Sequence, residues 1–210
     1  MSTRLADGAT MRERLLDALA TSEYIDHDVR KERFLVYLMG PYKSYPPYEE
    51  PTPQDAAVAT TRPTLSEIDE RMAAGDLDLD ADEALGLLVA LKRDLRSRNG
   101  VNAFLATDPQ IPLHEMDAAT QSIEFTKTAD ATIFVAPAMG DNLGVGIETG
   151  SVCEHLSETP LLEEVIFFGE RSVESSMVAA VSERWHVTTN DFESYDDLYR
   201  AVRAHLRAIA

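Results

Sequence analysis

The sequence predicts an α/β domain: a five-stranded parallel sheet, in the order 2-1-3-4-5, between two layers of helices. Three observations lead there. Short, almost continuous apolar runs recur along the chain, as in strands buried on both faces. Segments with an apolar stripe at helical spacing separate them. Strands that alternate with helices form parallel sheets through crossover connections.

The elements follow in order. Residues 10–26 read as an amphipathic helix, with Thr10 and Glu13 as a capping box and Met11, Leu15, Leu16 and Leu19 as its stripe. A charged connector, residues 27–32, leads to the first strand, residues 34–39. Then come Gly40-Pro41-Tyr42 and a long irregular stretch to about residue 65, with six prolines and three tyrosines. Proline excludes regular ladders there, so the insertion is expected to be mobile or to cover the strand ends. Residues 64–74 read as a short helix, and residues 76–82 as an acidic turn. A longer helix, residues 82–98, carries Leu85, Leu88, Val89, Leu91 and Leu95 and stops at Gly100.

Strands are then expected at residues 101–106, 131–136, 165–168 and 186–189, the last a short edge strand anchored by Trp185. Helices are expected at residues 116–128, 147–157 and 172–184, and a last one is capped by Ser194 with Asp197. The pattern is that of a flavodoxin-like, Rossmann-like three-layer sandwich. It divides into an N-terminal helical extension, residues 1–32, and an α/β domain, residues 33–210, with the Pro-rich insertion at 41–65. In such sheets ligands sit beyond the carboxyl ends of the strands, at the switch point between the first and third. That rule selects two loops, residues 40–45 and 137–148.

Composition narrows the function. Of 210 residues, 37 are acidic and 19 basic, a net charge of −18. Such a surface repels phosphate backbones, which argues against a nucleic-acid partner. No apolar run approaches the roughly 18 residues of a membrane span, and the first ten residues do not read as a signal peptide. The single cysteine, Cys153, rules out an internal disulfide and fits a reducing compartment, so a cytoplasmic location is expected. The five histidines show no metal-ligand spacing. Acid spread over many helices suits a salt-rich, halophilic cytoplasm, where screening relieves self-repulsion.

The loop after the third strand carries the chemistry. Gly140, Gly144 and Gly146 would allow close backbone approach to a ligand. Glu148 is expected in the first turn of the next helix, where the dipole favours its charged form. A carboxylate held there suits nucleophilic attack on a sugar carbon. Asp108, at the end of the second strand, lies on the same rim.

Two blocks of residues resemble the nucleoside 2-deoxyribosyltransferase family. Val36-Tyr37-Leu38-Met39-Gly40-Pro41-Tyr42 is similar to the family's first strand and turn. Asp130 with the strand Ala131-Thr132-Ile133-Phe134-Val135, followed by Asp141-Asn142-Leu143-Gly144-Val145-Gly146-Ile147-Glu148-Thr149-Gly150, is similar to its catalytic block. The resemblance spans about residues 34–169. It implies Glu148 as the nucleophile, Asp141 or Asn142 as the loop polar residue, and Tyr42 or a neighbour as the aromatic turn residue. Gly40, Gly144 and Gly146 would then line a substrate site.

Ser122 stands where the family has a catalytic aspartate, eight residues before Asp130; Glu124 and Asp117 are the nearest acids. The resemblance therefore implies either cleavage or transfer of an N-glycosidic bond in a nucleoside or nucleotide, or a binding or sensing module without turnover. Neither a metal nor another cofactor is expected, and a homo-oligomer fits the resemblance. A dinucleotide-binding oxidoreductase is a weaker alternative. Gly144, Gly146 and Gly150 open a helix and Glu170 follows about 20 residues later, but seven residues part the strand end from Gly144 where a tight turn is needed. A phosphoreceiver fails because Gly40-Pro41 replaces the acidic pair.

The acid excess carries its own test. Unfolding followed against salt should show the fold lost as salt falls to ~0.1 M, and full stability there would remove the halophilic inference.

Overall fold

The computed structural model describes residues 10–22, 24–25, 28–40, 81–137, 142–171 and 182–209, without the side chains of residues 81–83 and 142–148. The insertion at 41–65, the expected short helix and the acidic turn after it lie outside those residues, as does most of the expected helix at 172–184.

Five strands form one parallel sheet in the order expected: β1 Leu35–Met39, β2 Asn102–Leu105, β3 Ala131–Ala136, β4 Val165–Glu170 and β5 Thr188–Phe192, arranged β2-β1-β3-β4-β5. Among the described residues the helices with full bounds are α1 Met11–Thr21, α2 Ala81–Asn99, α3 Ala118–Thr128, α4 Asn142–Leu156 and α5 Tyr195–Ile209. A 3₁₀ turn, Pro160–Glu164, precedes β4 and was not expected; Pro160 suits its first position, where an N–H has no partner. Among the described residues no helix is long and apolar enough to cross a membrane.

Strand alternation divides the interior in two. Val36, Leu38, Ile133, Val135, Ile166 and Phe168 point to one face, covered by α2 and α5. Leu35, Tyr37, Met39, Phe104, Phe134 and Phe167 point to the other, covered by α1, α3 and α4. The α1 stripe Met11, Leu15, Leu16 and Leu19 is buried in this second core beside Phe125 of α3. Tyr37, Phe104 and Phe125 meet there as an aromatic cluster, with Tyr37 stacked on Phe104 at 5.0 Å. Burying side chains of this size contributes about 1.5–3 kcal/mol each.

The α1 capping box is present: the Glu13 amide donates to Thr10 Oγ1 at 3.2 Å, and the Thr10 amide donates to Glu13 Oε2 at 2.8 Å. The helix ends at Thr21 rather than Asp26 because Thr21 and Ser22 side chains bond the local backbone and compete with a further turn. Gly100 stops α2 with φ of +69°, a conformation that costs glycine little. The edge strand starts two residues later than expected, after His186 turns the chain at φ of +56°. It also runs past Thr189, where Asn190 and Asp191 are too polar to read as a strand, and the ladder with β4 holds them in place.

At the amino ends of the strands, Asp130 joins three elements. Its amide donates to the Leu35 carbonyl at 2.8 Å and its Oδ2 accepts from the Leu35 amide at 2.7 Å. Arg12 of α1 grips the same carboxylate with both Nη atoms, at 3.0 and 2.7 Å, and Nη1 also donates to the Thr128 carbonyl at 2.9 Å. One side chain thus fixes the start of β1 against β3 and seats α1. Replacing Asp130 by Ala should lower stability by about 2 kcal/mol, and Asp130→Asn, which can still accept from Leu35, should lower it by less. Urea unfolding measures both; a loss below about 0.5 kcal/mol for Asp130→Ala would show the contact to be incidental.

Candidate functional site

With β1 and β3 adjacent and helices leaving them on opposite faces, the switch point lies beyond Met39 and Ala136. Gly40 stands on this rim and is buried. A Cβ on it would come within 2.8 Å of Leu88 Cδ1 and 2.9 Å of the Val135 carbonyl oxygen. Glycine is therefore required so that α2 and β3 can close over the end of β1. This is a packing demand, separate from the ligand contact that the sequence suggests.

The helix after β3 begins earlier than expected. Asn142 is its first residue, so Gly144 and Gly146 lie inside α4 and Glu148 is its seventh residue. This corrects two expectations: the glycines form no loop, and Glu148 is not in the first turn. By propensity alone the two glycines read as helix breakers. A helix tolerates each at about 1 kcal/mol relative to alanine when its other face is well buried. Val152, Cys153 and Leu156 supply that burial. The dipole acts within the first turn, so it gives Glu148 little support for its charge. Asp141 and Tyr42 lie outside the described residues, and of Asn142 and Glu148 only the backbone is described.

The remaining candidates have internal partners. Asp108 is 1 % exposed. Its Oδ1 accepts from Lys92 Nζ at 2.8 Å and its Oδ2 from the Leu105 amide at 2.7 Å. Burial raises its pKa, against the lowering pull of Lys92 and of the Leu105 hydrogen bond. Lys92 is itself buried and donates also to the Tyr24 carbonyl at 3.0 Å. The pair therefore ties α2, the turn after β2 and the α1–β1 connector together, and removing one partner of such a pair typically costs about 3–5 kcal/mol. At the other end of β2, Asn102 Nδ2 donates to the Arg30 carbonyl at 2.6 Å. The connector thus covers one edge of the sheet. Sequence reasoning missed Lys92 as Asp108's partner, because the two are joined only by the fold of α2 onto β2.

Ser122 is buried in α3, which packs against α4, and its hydroxyl donates to the Ala118 carbonyl at 3.1 Å. Glu124 pairs with Lys127 at 2.9 Å. Asp117 caps α3, accepting from the Thr120 amide at 3.0 Å. Both acids are thus engaged within α3 or at its cap. Cys153 is buried and its thiol pKa is pushed up to about 11 by desolvation, which makes it a poor nucleophile. Trp185 donates to Glu154 Oε2 at 3.2 Å and packs on the second core, so it pins the approach to β5 onto α4. Among the described residues no group of three His, Cys, Asp or Glu side chains could hold a metal.

One feature of α4 has no signal in the sequence. Thr149 is 1 % exposed, and its Oγ1 has no hydrogen-bond partner among the described residues.

Comparison with curated proteins and with solved structures gives no match. A family model described as a domain of unknown function, DUF7509, matches residues 12–210, from within α1 to the last residue. The chain belongs to the DUF7509 family.

Proposed function

We propose that the protein cleaves or transfers the N-glycosidic bond of a nucleoside or nucleotide, with Glu148 as nucleophile. The observation that carries the reading is topological. The sheet order makes β1 and β3 the switch strands, and both blocks that resemble nucleoside 2-deoxyribosyltransferases begin on those strands. Glu148 follows β3 by two turns of α4. In this mechanism its carboxylate attacks the anomeric carbon through an oxocarbenium-like transition state, the base leaves with a proton from a neighbouring acid, and a nucleophile then releases the sugar.

A second reading, a nucleotide-binding or sensing module without turnover, is favoured by the state of the other carboxylates. Asp108, Asp117 and Glu124 are all engaged within the protein, and Ser122 carries no charge to offer the leaving base.

Release of free base from a panel of nucleosides and nucleotides separates the two. Wild type should turn over at least one member, and Glu148→Gln should slow it at least ~10²-fold because the charge needed at the anomeric carbon is gone. Stability should change by less than about 1 kcal/mol, since Glu148 lies beyond the turn where the dipole acts. Equal rates would eliminate the nucleophile, and binding without turnover by wild type would favour the sensing module.

A further inference from the structure

Buried hydroxyls without partners are uncommon, because each forgoes its bonds to water for nothing. Among the described residues two threonine hydroxyls of this kind lie on the same face of the sheet. Thr132 Oγ1 lies in β3 between Tyr37 of β1 and Val165 of β4, and Thr149 Oγ1 lies on α4. Thr149 shares the inward stripe of α4 with Val152, Cys153 and Leu156, at spacings of three, four and seven residues. It is the polar member of that stripe and stands a turn nearer the start of α4 than Val152 and Cys153. The start of α4 follows the carboxyl end of β3, whereas Thr132 lies near the opposite end of that strand. The two hydroxyls are thus equally buried but differ in distance from the switch point.

We propose that Thr149 is a substrate-positioning residue, whose hydroxyl is kept in the apolar stripe because it bonds a pentose hydroxyl of the bound nucleoside. The inference rests on the nucleoside reading above and assigns a residue to it. Valine has the shape of threonine without the oxygen, so Thr149→Val removes the unsatisfied group and leaves packing intact. The same change at Thr132 is the control.

The experiment measures thermal midpoint and nucleoside affinity for wild type, Thr149→Val, Thr149→Ser, Thr132→Val and Glu148→Gln. Both valine variants should melt higher, by roughly 2–4 °C, as a buried unsatisfied hydroxyl is lost. Thr149→Val should bind nucleosides about three- to tenfold more weakly, Thr149→Ser should restore binding, and Thr132→Val should bind as wild type does. Thr149→Val binding as tightly as wild type would overturn the assignment while leaving the nucleoside reading intact, provided Glu148→Gln slows release of free base at least ~10²-fold. Wild type that binds no nucleoside would overturn the reading and the assignment together.

Discussion

Asp130 is the constraint on which the rest of the architecture depends. A parallel sheet gains nothing from a tight hairpin to set its register, so the pairing of β1 with β3 must be fixed by side chains and packing. Asp130 does this by exchanging two hydrogen bonds with Leu35 at the amino end of both strands. Its second role, as the anchor of Arg12, seats α1 over Tyr37, Phe104 and Phe125. The register then carries to the far end of the strands, where Met39 pairs with Phe134, β3 runs on to Ala136 and the switch point opens.

A second constraint acts at the other end of β1. Gly40 lets Leu88 of α2 and the Val135 carbonyl close in, and one turn along α2 Lys92 reaches Asp108 and Tyr24. The rim is thus built from rigid contacts on the β2 side. On the β3 side stands the start of α4, and two turns along that helix lies Thr149, whose hydroxyl has no partner among the described residues. Proteins commonly give up stability where a ligand must be bound, and an unpartnered buried hydroxyl on the helix that leaves a switch strand fits that trade.

Most of the fold was legible in the sequence because parallel strands are buried on both faces. Runs such as Leu35–Met39 and Ala131–Ala136 have no other plausible environment. The Thr10–Glu13 box and the Gly100 stop were legible because capping chemistry is local. The edge strand was displaced because Thr188–Phe192 owes its conformation to β4 and not to its own polar residues. The start of α4 was misplaced because glycine marks a loop only when tertiary burial does not override it. At the site, Glu148 and the glycines were visible as a motif. The pairing of Asp108 with Lys92 and the isolation of the Thr149 hydroxyl were not, since both arise from contacts between elements far apart in sequence.

The proposed ligand site is the β1/β3 switch point. Backbone amide shifts, recorded while a purine and then a pyrimidine nucleoside are titrated into the labelled protein, test it most directly. A ligand seated there gives saturable shifts at Gly40 and along α4 through Thr149 and Gly150, with the outer faces of α2 and α5 unmoved. Shifts confined to α2 and α5, or none at saturating nucleoside, would contradict it.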